Sequence, residues 1–246
     1  MTNVRRAVAG RTVLVAGATS AAGIAVTSAL SVAGARVIAV GSNAGRLQTL
    51  RDQVPDAITH VCDLSSFDAV TALAETLHAD ALREGWGQID GQSQSDGRAQ
   101  IDGLIHLVGG WRGGGGLAGQ SDEDWGFLHR NVVTTLRNTT RAFNNDLLVS
   151  PAGRLAIVSS VSVDKPAPGG ANYAAAKAAA ETWTRAVGQG FAKAGRDSDD
   201  GTARAAAVIF VVRALEGLEG ELAESVVGLW DAEAASVNNT RVRLGG

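Results

Sequence analysis

The chain has 246 residues, of which 45% are apolar and 19% charged, with a formal net charge of −3 and a pI near 5.8. That length is enough for one large domain with a full core, and the composition is that of an ordinary soluble globular protein. The mild acidity gives no electrostatic case for nucleic acid or an anionic membrane as partner, no apolar run reaches membrane-helix length, and the single cysteine, Cys62, can form neither an internal disulfide nor a metal site.

In chain order, short β-branched runs alternate with longer alanine-rich stretches. Strands are expected at Thr12–Ala16, Arg36–Val40, Ile58–Val61, Leu104–Val108, Arg154–Ser159, Ala206–Val212 and Arg241–Leu244. Helices are expected at Gly23–Ala33, Arg46–Gln53, Phe67–Glu84, Asp122–Val149, Asn172–Ala194 and Leu218–Leu229. The opening "MTNVRRAVAGRTVLVAGATS" carries arginines ahead of an apolar run, but Arg11, Thr12 and Gly17 break it. It reads as a strand entering a glycine turn, not as a signal peptide. A reducing compartment and a cytoplasmic location are therefore expected.

Strand-helix alternation implies a doubly wound α/β fold: one domain, 1–246, with a parallel sheet and helices on both faces. Two polar segments interrupt the rhythm. Gly85–Gln100, "GWGQIDGQSQSDGRAQ", repeats "QIDG" at 88–91 and 100–103 and reads as an enlarged surface loop, and "GRDSDDGTA" at 195–203 as a solvated connector.

Three features carry chemistry. "VLVAGATSAAGIA" places Gly17 and Gly23 between the first strand and first helix, where backbone N–H groups can approach a pyrophosphate and the helix N-terminus favours its charge. Such turns also occur simply where a chain reverses. "ANYAAAKAAAETW" holds the only tyrosine, Tyr173, four positions before Lys177, one of three lysines. That spacing puts both on one helix face, where an ammonium would lower a phenol pKa of about 10 toward the range of a useful acid or base.

Gly17, Gly23, the Tyr173–Lys177 pair and Ser160, thirteen positions before the tyrosine, together resemble the short-chain dehydrogenase/reductase family. Asn131 in "HRNVVTTL" and Asp63 in "VCDLSS" extend the resemblance, which runs from about Arg11 to Leu244 and includes "AESVVGLWDAEAASVNN". It implies a Rossmann fold and an NAD(P)H-dependent oxidoreductase that moves hydride to or from a small carbonyl or alcohol, with no metal. Tyr173 would be general acid in reduction or base in oxidation. Lys177 would lower the tyrosine pKa and hold the cofactor ribose, Ser160 would hydrogen-bond the substrate oxygen, and Asn131 would hold a water in a proton relay. The resemblance also implies cofactor contacts from Gly17, Thr19, Ser20, Ala21, Gly23 and Ile24 in the first turn. Further contacts would come from Ser42 and Arg46 after the second strand, Asp63 and Leu64 after the third, and Val108, Gly109 and Gly110 after the fourth. Trp111 joins Ser160 and Tyr173 as a substrate residue.

The chain departs from the family pattern at several points. Ala21 stands where the phosphate turn has its middle glycine, and "HLVGG" replaces the common Asn-Asn-Ala-Gly, with His106 placed to hydrogen-bond across the sheet centre as a structural histidine. After the sixth strand, "VVRALEGLEGELAESV" has no Pro-Gly, no threonine and almost no substrate lid, so the glycine run "WRGGGGLAGQ" with Trp111 is the candidate mobile cover of a shallow cleft. Gly41 occupies the position of the aspartate that binds the ribose 2′-hydroxyl in NAD-preferring relatives, which favours NADP(H) over NAD(H). A homodimer or homotetramer is expected through Asp122–Val149 and Asn172–Ala194, the latter carrying Trp183 and Phe191 beyond what one core stripe uses. The short lid leaves open a non-catalytic member of the fold that binds a dinucleotide, or an assembly partner of an active homologue.

Overall fold

In a computed structural model describing residues 6–86 and 101–246, together with the backbone of two short strands between them, seven strands form one parallel sheet. They are β1 (Thr12–Ala16), β2 (Arg36–Gly41), β3 (Ile58–Val61), β4 (Gly103–His106), β5 (Arg154–Ser160), β6 (Ala206–Val212) and β7 (Thr240–Arg243). Their order across the sheet is β3-β2-β1-β4-β5-β6-β7. The order reverses between β1 and β4, which opens a crevice at the carboxyl ends of those strands. Helices α1 (Ala21–Val32), α2 (Ala44–Gln53), α3 (Phe67–Glu84), α4 (Asp122–Leu128), α5 (Thr135–Val149), α6 (Ala171–Arg196), α7 (Glu219–Val227) and α8 (Ala234–Val237) complete the doubly wound arrangement.

The sheet is covered on both faces because successive strand residues point in opposite directions. Val13 and Val15 pack with Val26 and Leu30 of α1 and with Leu222 and Val226 of α7. Leu14 and Ala16 face the other way, onto Leu73 and Leu77 of α3 and Phe143 of α5. Every residue of β1 and of β6 is buried, which is why these runs read as continuously apolar rather than alternating.

The ends of the expected strands and helices all fall within two residues of expectation, and the differences have identifiable causes. β4 stops at His106 instead of Val108 because the chain turns there. Leu107 still donates its N–H to Ala16, but a side chain at Gly17 would come within 2.9 Å of the Leu107 and Val108 backbone, so the two turns can pack only through glycine. The single helix expected at Asp122–Val149 is interrupted by a six-residue π-helical turn, His129–Thr134. The helix expected at Leu218–Leu229 ends at Val227 and tightens into a 3-10 turn over Gly228–Trp230. Within the polar insert, Gln88–Ile89 pairs antiparallel with Gln92–Ser93, and residues 87, 90, 91 and 94–100, which include part of the "QIDG" repeat, lie outside the described residues. Among the described residues no helix is long and apolar enough to cross a membrane, and no cluster of His, Cys, Asp and Glu could hold a metal.

The surplus apolar surface expected on α6 is used within the chain. Phe191 is buried in the core beneath α3 and α5. Trp183 is half-buried, donates its indole N–H to Thr140 Oγ1 at 2.8 Å and lies under the Arg137 guanidinium.

At the end of β4, His106 is buried, with Nε2 3.1 Å from Thr135 Oγ1. It is thus bonded to a helix residue, not across the sheet. Burial, with the Lys177 charge nearby, drops its pKa to about 3. An unfolded histidine titrates near 6.5, so below that pH the unfolded chain takes a proton that the native chain refuses until about pH 3. This histidine's contribution to stability is complete above about pH 6.5 and is lost as pH falls. Chemical denaturation of His106→Gln against the parent should therefore show a stability difference that narrows between pH 6.5 and 4, with a slope of at most about 1.4 kcal/mol per pH unit. A constant difference would place the effect elsewhere.

Candidate active site

The crevice between β1 and β4 holds a cleft of about 1000 Å³ that runs from Ser42 and Arg46, over the glycine turn, to Tyr173 and Lys177. Its entrance is built by the first turn. Gly17 has φ +81°, and a side chain at Gly23 would meet the Ala18 and Gly17 backbone at 2.5 Å, so both positions demand glycine. Ser20 caps α1, donating its hydroxyl to the Gly17 carbonyl and accepting the Gly23 N–H at 3.0 Å. The Ile24 N–H is likewise given to the Ser20 carbonyl.

That bonding sets two of the expected cofactor residues apart from the rest. Gly23 and Ile24 do not line the cleft, and their N–H groups already have partners within the turn. The first-turn donors without an intrahelical acceptor belong to Ala21 and Ala22, both on the cleft wall. Ala21 therefore stands at the anion-binding end of the helix, and its methyl is exposed.

Gly41 ends β2 beneath the turn. A side chain there would come within 3.1 Å of Thr19 Cγ2 and 3.5 Å of Leu47, so the wall stays low and carries no carboxylate. Asn43 caps α2 by accepting the Arg46 N–H, setting Ser42 and Arg46 at the rim. Asp63 lies beyond, its pKa held down by the Ser65 hydroxyl and N–H, with Arg130 adding a smaller pull. Thr19, Leu64, Val108, Gly109 and Gly110 all line the cleft as expected.

At the far end α6 brings Tyr173 and Lys177 together, the ammonium 5.8 Å from the centre of the phenol ring. Lys177 is 8% exposed and donates to the Val158 carbonyl at 2.8 Å. Burial lowers its pKa to about 8 against the opposing pull of Glu181. Burial also raises the pKa of Tyr173, and the Ser160 hydroxyl opposes that rise. In this structure burial is the larger influence on the phenol, with the Ser160 hydroxyl acting against it. Ser160 is 2% exposed and stands behind the cleft wall, capping the 3-10 turn Val161–Val163 and bonding to Ser162 Oγ at 3.0 Å.

Asn131 sits inside the π turn and on the wall, its amide donating to the Phe127 carbonyl at 2.8 Å. Its own carbonyl accepts the Thr135 hydroxyl at 2.7 Å, which leaves the His106 Nε2 as donor to Thr135. A π turn inside an α-helix is a frequent mark of a functional site, and no periodicity in the residues announces it.

Trp111 is 66% exposed and lines the cleft with Phe127. The glycine run after it, expected as a mobile cover, is tied to its neighbours by hydrogen bonds in this structure. The Gln120 amide nitrogen lies 3.0–3.1 Å from the Gly114, Gly116 and Gly169 carbonyls, and its oxygen accepts the Asn172 N–H. Between β6 and α7 only Arg213–Leu218 intervene, and Arg213, Ala214, Leu215 and Glu216 line the cleft. Sequence reasoning did not single out Ala22, Arg130, Thr135 or Arg213. Only Arg213 carried a signal, as a cation directly after the sixth strand, where the family's Pro-Gly is missing.

The arrangement can bind a pyrophosphate at backbone donors and deliver a phenolic proton about one cleft length away. A family model for short chain dehydrogenases matches residues 11–195. No curated protein matches the chain in sequence. Among solved structures, a metagenomic short-chain oxidoreductase in complex with NADP aligns with TM-score 0.77 at 20% identity, over 96% of this chain and 98% of that one. A gluconate 5-dehydrogenase from Burkholderia cenocepacia in complex with NADP and tartrate aligns at 0.75 and 21% identity, over 98% and 96%. Serine dehydrogenase from Escherichia coli aligns at 0.76 and 21%, over 95% and 96%. With three quarters of its length matched by the family model, this chain belongs to the short chain dehydrogenases.

Proposed function

We propose that this chain is an NADP(H)-dependent oxidoreductase acting on a small carbonyl or alcohol. The observation that carries the reading is that one cleft is lined both by the glycine turn and by Tyr173 and Lys177, whose ammonium lies 5.8 Å from the centre of the phenol ring. The cleft volume, about 1000 Å³, is at the upper end for ligand sites and suits a dinucleotide with a small substrate. The Ala21 and Ala22 N–H groups would take the pyrophosphate, Asp63 the adenine end and Lys177 the ribose. Ser42 and Arg46 would face the 2′-phosphate. When bound, the cofactor supplies or accepts hydride.

The residues of the chain handle the proton. Tyr173, kept neutral by burial, is poised to donate to a carbonyl oxygen as it gains electron density. Lys177, charged below about pH 8, stabilises the phenolate left behind. Ser160, with Ser162, supplies hydroxyl dipoles at that end. A twofold homo-oligomer through α4, α5 and α6 belongs to the same proposal. The rival reading, a binder without turnover, is favoured by the short lid. The unfilled space beside Tyr173 and the phenol itself weigh against it, because a pure binder can use the lysine for the ribose but has no need of a phenol beside it.

Tyr173→Phe should preserve fold and NADPH affinity, within about twofold by fluorescence titration, and lower carbonyl reduction by about 10²–10⁴-fold. Retained turnover with any accepted substrate would remove the tyrosine from the mechanism.

The pH dependence follows from the lysine. Its pKa is lowered in the native state, so the ammonium is present below about pH 8 and lost above it. In the reduction direction kcat/KM should fall about tenfold per unit above pH 8, since it reports groups of the free enzyme. A profile level to pH 10 would contradict this assignment.

Cofactor choice is tested at the low wall. Gly41→Asp should raise the NADPH dissociation constant relative to that of NADH by about tenfold, 1.4 kcal/mol, through repulsion of the 2′-phosphate. Thr19 must give way slightly to admit the new side chain. An unchanged ratio would mean the 2′-phosphate lies away from this strand end.

A further inference from the structure

We infer that Arg213 makes this cleft selective for a carbonyl substrate that carries a carboxylate. The inference rests on the oxidoreductase reading for what happens to the substrate, but not for how it is held. Arg213 is placed by the sheet. β6 runs parallel to β5 with Val212 opposite Ser160, so the next residue leaves the sheet directly beside the serine end of the catalytic group. It lines the cleft that Tyr173, Lys177 and Trp111 also line, and it is exposed to that space.

The other cations of the region are committed. Lys177 donates a hydrogen bond to the Val158 carbonyl. Arg112 lies over the Phe127 ring at 4.2 Å and 3.5 Å from Asp124. Arg46 rises from the rim of α2, and Arg130 acts on Asp63, both toward the opposite end of the cleft. Among the described residues, the Arg213 guanidinium has no ion-pair or hydrogen-bond partner. Glu216 and Glu219 line the same wall without pairing with it, and they would disfavour a second negative charge farther along α7.

The short connection after β6 gives this cation its importance. A long cover would hold substrate by apolar burial, but six residues, Arg213–Leu218, cannot enclose one. In an open, wet cleft the interaction that keeps its strength is a charge-assisted, two-point hydrogen bond, which a planar guanidinium offers to a carboxylate. Trp111, on the facing loop, would cover the apolar remainder of a small oxo acid.

The test is equilibrium binding by calorimetry to the full chain, alone and saturated with NADPH, using 2-oxopentanoate and 4-oxopentanoate and the neutral amide of each. At least one acid should bind about tenfold more tightly than its amide. Arg213→Met should abolish that preference while leaving NADPH affinity unchanged, and Arg213→Lys should restore it only in part. Reduction of the same compounds is followed in parallel. Equal affinity for acid and amide in the parent protein overturns the inference. So does a loss of NADPH binding in Arg213→Met that matches the loss of acid binding, which would assign the guanidinium to the dinucleotide. If the acid preference depends on Arg213 but no oxo acid is reduced, the carboxylate site stands and the oxidoreductase reading falls.

Discussion

The hydrogen bond from the Lys177 ammonium to the Val158 carbonyl is the contact around which the rest of the site is arranged. It exists because two neighbouring strands differ in length. β4 ends at His106, opposite Ile157, while β5 continues to Ser160, so carbonyls beyond Ile157 have no strand partner on that side. Lys177 fills the gap from α6. One turn further along the helix, Glu181 is wholly buried and accepts the Ser159 hydroxyl at 2.7 Å, while Arg185 and Arg241 neutralise it at 3.0 and 3.1 Å. Two adjacent strand residues are thereby tied to two helix residues one turn apart. The helix cannot slide or rotate on the sheet, and Tyr173, one turn before Lys177, is held over the cleft. Burying an ammonium is costly in proportion to its desolvation, which appears here as a pKa lowered to about 8.

Much of this was legible in the residues. The strand and helix alternation forecast the sheet and its two covered faces, because fully buried strands must be apolar throughout and the chain has few other such runs. Tyr173 and Lys177 were legible because they are rare residue types at a fixed spacing, Gly17 because it stands in a strand-to-helix turn, and Asp63 through the resemblance to the family. What escaped notice depends on geometry that no local pattern encodes. Gly23 serves packing against Ala18, and its N–H and that of Ile24 are given to Ser20. The glycine run looked mobile by composition, and only the fold brings Gly114 and Gly169 to either side of Gln120. The π turn at His129–Thr134 was invisible because a single added residue per turn leaves the apolar spacing nearly intact.

The two loops that frame the catalytic end therefore have opposite characters from those their compositions suggest. The glycine-rich one is a fixed wall: Gly113 has φ +159° and packs so closely that a side chain there would lie 2.5 Å from the Gly169 carbonyl. The connection after β6 is too short to fold over and carries charge in place of apolar cover. Around a cleft framed this way, the states of the neighbouring titratable groups are set by burial within the protein rather than by closure of a cover.

His106 shows how that is achieved. In place of an asparagine at the end of β4 the chain has an imidazole, whose size and basicity are both hazards beside a buried lysine. A second cation there would raise the cost of protonating Lys177 and drive its pKa lower still. The structure avoids this by enclosing the ring so that it stays neutral to about pH 3, and by giving its Nε2 proton a single acceptor in Thr135. The Thr135 hydroxyl in turn donates a hydrogen bond to the backbone carbonyl of Asn131 in the π turn. The histidine is thus uncharged, singly oriented and linked to the wall residue whose amide holds the Phe127 carbonyl. The ammonium of Lys177 is left as the cation next to the phenol, and the imidazole becomes a spacer that fixes where the π turn stands relative to β4.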